Sequence, residues 1–186
     1  MTRDPGQPAQ VKGGFRGLKV VAKIVESSLV TSFYLQSLDG SALPAFRPGQ
    51  FLVFKIPSGD AKGYVLRNYS LSGSPDDPSH YRISVKREPS GGPGLPVGLS
   101  SNYLHDSIGV GDVLTVDGPR GEFVLDEPSE RPVVLLSGGV GLTPMVLPIW
   151  QQEAVEIKNF NLVCRNTLAY KIVYLFENCL HRQIFE

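Results

Sequence analysis

Apolar and polar residues alternate in short runs through the first two-thirds of the chain. In YRISVKRE, Tyr81, Ile83 and Val85 fall on one face and Arg82, Ser84 and Lys86 on the other, the period of two that marks a half-buried strand. LKVVAKIVES (Leu18–Ser27), VTSFYLQSL (Val30–Leu38), GQFLVFKIP (Gly49–Pro57), LRNYSLS (Leu66–Ser72) and VGDVLTVDGP (Val110–Pro119) read in the same way. Turn signals such as Pro48–Gly49 and Gly111–Asp112 punctuate them. About six strands at short, regular intervals predict a closed or nearly closed antiparallel β-barrel. A short helix over Ser101–Asp106 interrupts it, with Ser101 at the N-cap position, where its hydroxyl can satisfy a free backbone N–H.

The pattern then changes. RPVVLLSGG (Arg131–Gly139) is almost wholly apolar, as expected of a parallel strand covered on both faces. It runs into LLSGGVGLTP, a glycine turn with the look of a strand-to-helix junction. There Gly139-x-Gly141 permits close backbone approach to a diphosphate, and Pro144 replaces the third glycine of the general dinucleotide fingerprint. Proline suits a first helical position, whereas Pro148, one turn later, removes a backbone donor. FNLVC (Phe160–Cys164) reads as a second parallel strand. Leu168, Ile172, Leu175 or Phe176, and Cys179 or Leu180 form the stripe of a core-facing helix.

All glycines lie at or before Gly141 and the last proline is Pro148, so the C-terminal segment lacks the turn chemistry of the rest. DEPSER (Asp126–Arg131) supplies a boundary. The expected organisation is a polar, mobile leader over residues 1–14, an antiparallel β-barrel over 15–127, and an incomplete α/β nucleotide-binding segment over 131–186.

Composition narrows the function classes. Formal net charge is zero, which gives no sign of a surface for a nucleic-acid polymer. No apolar run reaches membrane-spanning length, and the first residues carry no apolar secretory core, so a cytoplasmic protein is expected. Cys164 and Cys179 lack metal-binding spacing and read as thiols of a reducing compartment; no metal site is expected.

RNYS (Arg67–Ser70) is the sharpest chemical feature. On an extended strand Arg67 and Tyr69 share one face, and Asn68 and Ser70 the other. A fixed cation beside an aromatic ring suits a ligand that has a phosphate and a flat ring system, the guanidinium pairing with phosphate oxygens in a forked geometry. Tyr69 would pack on the ring or its chain and Ser70 would bond a ring nitrogen. Alone, the stretch reads equally as a surface Arg and a core Tyr. Downstream, VKRE (Val85–Glu88) and a Gly/Pro-rich loop lead to GLSSNYL (Gly98–Leu104). A glycine followed by a helix start favours an anion through free N–H groups and the helix dipole; the plain alternative is a capped helix after a loop.

Taken together, RNYS, Gly98-x-x-Ser101-x-x-Leu104 and SGGVGLTPM (Ser137–Met145) resemble the ferredoxin–NADP reductase superfamily in its flavin, pyrophosphate and nucleotide-loop motifs. RNYSLS, YRISVKRE, SNYLHD, VGDVL and SGGVGLTPM look most like the reductase part of flavohaemoglobins. The resemblance covers about Phe15 to Met145. It implies FAD on the barrel, held by Arg67, Asn68, Tyr69 and Ser70, with Phe51 near the flavin. Val85, Lys86 and Glu88 would border the next contact, and Gly98, Ser101 and Asn102 the pyrophosphate. Gly138, Gly139, Val140, Gly141, Leu142 and Thr143 would form the nucleotide loop. The preference for FAD over FMN rests on the resemblance alone.

The resemblance further implies NAD(P)H as donor, a hydride passing to the flavin, and single electrons leaving to a haem or iron–sulfur acceptor on another chain. No side-chain base is required, and no residue is assigned as catalytic. His105 reads as a surface or helix-end residue. The family's Cys-Gly-Pro segment and terminal aromatic find no match, so the chain reads as a reductase cut short, which leaves a non-catalytic FAD-binding remnant as the alternative. A barrel used for protein interaction through an open sheet edge is a third.

Overall fold

The computed structural model describes residues 14–89, 98–124, 133–137, 143 and 160–164. Six strands, β1 (Arg16–Val25), β2 (Val30–Ser37), β3 (Phe51–Pro57), β4 (Tyr64–Ser70), β5 (Tyr81–Lys86) and β6 (Val113–Arg120), form one sheet, and α1 (Leu99–Ser107) lies between β5 and β6. The sheet order is β4-β3-β6-β1-β2-β5 and every pairing is antiparallel. Two strands, β7 (Val133–Ser137) and β8 (Phe160–Cys164), pair in parallel with Val133 opposite Phe160. The expected architecture therefore holds: an antiparallel barrel-like sheet, then the beginning of an α/β unit.

Alternation fixes which face is inside. In β5, Tyr81, Ile83 and Val85 are buried and the residues between them are not; in β3, Leu52, Phe54 and Ile56 are buried in turn. These side chains join Leu18, Val20, Phe33, Leu35, Leu71, Leu114 and Val116 in one core, closed at one end by Leu104 and Ile108. Each such burial stabilises the fold by about 1.5–3 kcal/mol. The turn before β3 depends on Gly49, which has φ +95°; a Cβ there would lie 1.7 Å from the Phe123 carbonyl oxygen. Only glycine suits that conformation and that approach.

Edge strands β4 and β5 bring the sheet almost to closure. They meet at a single isolated bridge, Leu71 to Ile83, where the Ser72 N–H also donates to the Arg82 carbonyl at 2.8 Å. Beyond that bridge no ladder joins them among the described residues.

The helix corrects the expected start. Gly98, not Ser101, is the N-cap, and no side chain caps the helix. Ser101 instead lies in the first turn, where its hydroxyl accepts from the Glu88 N–H at 3.1 Å and donates to the Gly98 carbonyl at 3.3 Å. The other end of α1 is held by a strand: Lys23 Nζ donates to the carbonyls of His105 at 2.6 Å and Ile108 at 2.7 Å. A cation there complements the negative end of the helix dipole.

Candidate functional site

A cleft of about 480 Å³ opens between β4, the end of β5 and the start of α1. Arg67, Asn68, Tyr69 and Ser70 line it from β4, Ser84, Lys86 and Glu88 from β5 and just beyond, and Gly98 to Ser101 from the helix; Thr143 completes the lining. Because β4 is an edge strand, residues from both of its faces border the cleft.

Tyr69 packs against the core and stands edge-on to Phe54, with ring centroids 5.3 Å apart. Burial pushes its phenol up to about 12, although the nearby Arg67 charge pulls the other way. The hydroxyl is therefore neutral at physiological pH and can donate. Arg67 is exposed, and one guanidinium N–H reaches the Leu66 carbonyl at 2.8 Å. A guanidinium has five N–H donors, enough to fork onto an anion as well. Lys86 pairs with Glu88 at 3.0 Å. That pair is half-exposed, where ion pairs contribute about 0–1 kcal/mol, so Lys86 can readily exchange Glu88 for an anionic ligand.

Glu88 organises the helix start through its backbone. Besides the Ser101 contact, its carbonyl accepts from Gly98 N–H at 3.2 Å and from Asn102 Nδ2 at 2.8 Å. Gly98 must be glycine here: a Cβ would come within 2.7 Å of Glu88 Cβ and 2.9 Å of Ser101 Oγ. The result is a helix N-terminus fixed beside the end of β5 and turned to the cleft. The first-turn N–H groups lack intrahelical partners by helix geometry, and the turn carries no acidic residue. Ser100 is buried, and its Oγ has no hydrogen-bond partner among the described residues.

The predicted residues separate into those the cleft gathers and those it does not. Arg67 to Ser70, Lys86, Glu88, Gly98, Ser101 and Thr143 line it. Phe51 lies outside that lining; it pairs with Ser70 across the ladder and its ring packs over Gly121. Val85 is a buried core residue, and Asn102 borders the neighbouring hollow beside Ser58 and Tyr103. Gly138 to Leu142 lie outside the described residues.

Sequence reasoning missed Ser84 and Ser100. The alternation that placed Lys86 outward places Ser84 there too, so that signal was present. Ser84 Oγ bonds Ser32 Oγ at 3.1 Å and Ser72 Oγ at 3.0 Å, linking the cleft wall to the polar contacts beneath it. Ser100 was hidden by a helix start set two residues too late.

His105 lies in the last turn of α1, the helix-end position expected of it, but is not fully solvated. It is half-buried between α1 and the sheet, its Nε2 3.0 Å from the Val85 carbonyl and its Nδ1 3.4 Å from Thr31 Oγ1. Burial, chiefly, lowers its pKa below the ordinary 6.5; the Val85 carbonyl and Asp106 act in the opposite sense, while Arg87 and Lys23 add to the lowering. In the unfolded chain His105 takes its proton near pH 6.5, and the folded protein resists until lower pH. Below about 6.5 the unfolded state thus binds more protons. This contribution to stability is complete above that pH and is lost as pH falls through the window. The melting temperature should drop between about pH 7 and 5.5, and more steeply in the native protein than in His105→Gln. Equal slopes in thermal melts followed by circular dichroism would contradict the assignment.

A barrel-like antiparallel sheet that sets an Arg-x-Tyr-Ser strand beside a helix N-terminus, followed by parallel strands, has the form of a flavin-binding reductase domain of the ferredoxin–NADP reductase type. The sequence model of the oxidoreductase FAD-binding domain matches residues 17–125, and the chain belongs to that family. The flavohemoprotein of Oceanobacillus iheyensis is 50% identical over 134 residues, 72% of this chain and 32% of that protein. The flavohemoprotein of Deinococcus radiodurans is 50% identical over 141 residues, 76% of this chain and 32% of its own length. The chain thus spans about a third of the curated relatives it matches.

Among solved structures, the flavohem-like FAD/NAD binding domain of nitric oxide dioxygenase from Vibrio cholerae O1 biovar El Tor superposes with a TM-score of 0.74 at 33% identity, covering 90% of this chain and 70% of that one. Phthalate dioxygenase reductase gives 0.67 at 33% identity, covering 81% and 43%. FAD is accordingly the cofactor of this domain, and the cleft's donors fit it: two cations, a helix N-terminus, a neutral phenol and several hydroxyls. Among the described residues, no helix is long and apolar enough to cross a membrane.

Proposed function

We propose that the cleft is the FAD site and that the domain passes electrons from NAD(P)H to a haem or iron–sulfur acceptor on another chain or domain. The observation that carries this reading is the convergence of Arg67 to Ser70, Lys86 and the Gly98–Ser101 helix start on one cleft, with Thr143 at its border. In this assignment Arg67 and the first-turn N–H groups of α1 bind phosphate, Lys86 adds positive charge, and Tyr69 packs against the flat ring system. Ser70 offers a hydroxyl to the ring. Gly98, the Glu88 backbone and the Asn102 amide hold the helix in place, and Asn68 borders the ligand's polar parts.

Bound FAD would supply the chemistry of accepting a hydride and releasing electrons singly. The protein's part is binding, orientation and water exclusion: a neutral Tyr69 phenol keeps a second negative charge away from the phosphates. Residues 15–127 form the flavin unit in this reading. Residues 131–186 begin a nucleotide-binding unit in this reading, and Thr143 of that segment borders the cleft. Phe51 and Val85 then act through packing, by setting β3 and β5.

Anaerobic stopped-flow mixing of the FAD-loaded protein with NADH and with NADPH tests the electron-donor step. Bleaching of the flavin band by either nucleotide is the expected result. A flavin that stays oxidised with both would reduce the proposal to an FAD-binding domain.

A further inference from the structure

Behind the cleft wall runs a polar chain that the site assignment does not use. Arg82 of β5 and Glu26, just after β1, form a largely buried ion pair at 2.7 Å. The guanidinium also donates twice to Ser32 Oγ, from Nε at 3.2 Å and from Nη2 at 3.1 Å. Ser32 is fully buried, and its Oγ lies 3.1 Å from Ser84 Oγ. Ser84 Oγ lies 3.0 Å from Ser72 Oγ, which donates to the Arg82 carbonyl at 3.4 Å. Ser84 lines the cleft; Arg82, Ser32 and Ser72 stand behind it.

The order of protons follows from the donors present. A guanidinium only donates, and a hydroxyl has one proton and two acceptor sites. Arg82 fills both acceptor sites of Ser32, so the Ser32 proton goes to Ser84. Ser84 then sends its own proton to Ser72 or into the cleft. The bond from Ser72 to the Arg82 carbonyl is the longest in the chain and the least costly to give up. When Ser72 turns to donate to Ser84 instead, the Ser84 proton is free for an acceptor in the cleft. The cation at the far end polarises each hydroxyl in turn and strengthens that last donor.

Strand register places this donor. Leu71 bridges Ile83 in the antiparallel sense, and the Ser72 N–H donates to the Arg82 carbonyl. The same register carries Ser70 opposite Ser84, and both line the cleft. Ser84 is only partly buried and shares the outer face of β5 with Lys86.

We propose that Arg82 is a positioning residue that sets the reduction potential of the flavin. Through Ser32 it holds Ser84 as a hydrogen-bond donor to the ring system, opposite Ser70, and so favours the negative charge that the ring gains on reduction. The inference rests on the assignment of the cleft to FAD. Glu26 opposes the effect, because its carboxylate cancels part of the Arg82 charge at short range.

The test uses the full 186-residue chain loaded with FAD. The flavin midpoint potential is measured by reductive titration against a dye of known potential, without a nicotinamide nucleotide. Arg82→Gln should lower the preference for reduced over oxidised FAD by about three- to tenfold, a downward shift of about 15–30 mV for a two-electron couple. Glu26→Gln leaves the guanidinium uncompensated and should shift the potential upward by a similar amount. Each variant breaks a largely buried ion pair and should melt below the native protein. A purely structural role would move the two potentials in the same direction or not at all. With Ser84→Ala added, the Arg82→Gln shift should largely vanish, because the chain is then cut.

Unmoved potentials, shifts of the same sign, or a full Arg82→Gln shift in the Ser84→Ala background would overturn the proposal. If Arg82→Gln does not fold, Glu26→Gln decides alone: a raised potential supports the proposal, and an unchanged or lowered one overturns it. Failure of the underlying site assignment shows separately. Arg67→Ala and Ser70→Ala would then bind FAD as the native protein does, and the inference would fall with it.

Discussion

Replacing Arg67 with alanine should weaken FAD binding by about tenfold to a hundredfold, the worth of one or two charge-assisted hydrogen bonds. Arg67 is exposed on an edge strand, and its hydrogen bond is to the adjacent Leu66 carbonyl. Little of the fold depends on it, so the melting temperature of flavin-free protein should stay within about 2 °C of the native value. The loss should shrink as salt rises, because a partly exposed cation is screened over a Debye length of about 10 Å at 0.1 M salt. Arg67→Lys should recover only part of the affinity: an ammonium keeps the charge but loses the planar fork. Titration of FAD followed by fluorescence quenching checks each point. An Arg67→Ala protein that binds FAD as the native one does would remove the phosphate role.

The second large effect is on stability. Phe54 is fully buried in β3, opposite Arg67 and Val116 in the ladders, and supports the Tyr69 ring edge-on. Phe54→Ala removes a large side chain from the middle of the core and should cost about 3–5 kcal/mol through lost transfer energy and the cavity left behind. That is a large fraction of the roughly 5–15 kcal/mol available to a domain, and the melting temperature should fall by about 10 °C or more. Flavin binding should suffer as well, since Tyr69 loses the ring that orients it. Phe54→Leu, which keeps much of the volume, should cost far less. Calorimetric melts of the three proteins, with and without FAD, give both readings. If Phe54→Ala melted with the native protein, the core described here would be wrong.

Much of this was readable in the chain because a strand's two-residue period is robust to small errors in its ends. YRISVKRE places Tyr81, Ile83 and Val85 inside whether the strand ends at Lys86 or Glu88, and all three are buried. FNLVC was legible as a second parallel strand because it is a short, mostly apolar run downstream of RPVVLLSGG, and it pairs with β7 in register. The helix was harder. Its N-cap is a glycine without a side-chain bond, so the Ser signal pointed at Ser101. What fixes the start is the Glu88 backbone, ten residues earlier, and a contact across a loop leaves no local mark.

His105 shows the same limit. YLHD looks like a solvated helix end, and nothing nearby in the sequence announces the Val85 carbonyl and Thr31 hydroxyl that receive the ring. The cleft's lining was legible in its chemical types, at Arg67, Tyr69, Ser70, Lys86 and Gly98.

The central claim is that FAD occupies the cleft between β4, the end of β5 and the start of α1. Amide chemical-shift mapping of the full chain during FAD titration tests it most directly. The account predicts saturable shifts concentrated at Leu66 to Ser70, Ser84 to Glu88 and Gly98 to Ser101, with little change along β1 and β2. Saturable shifts centred on β1 and β2, or no shifts at all, would contradict it.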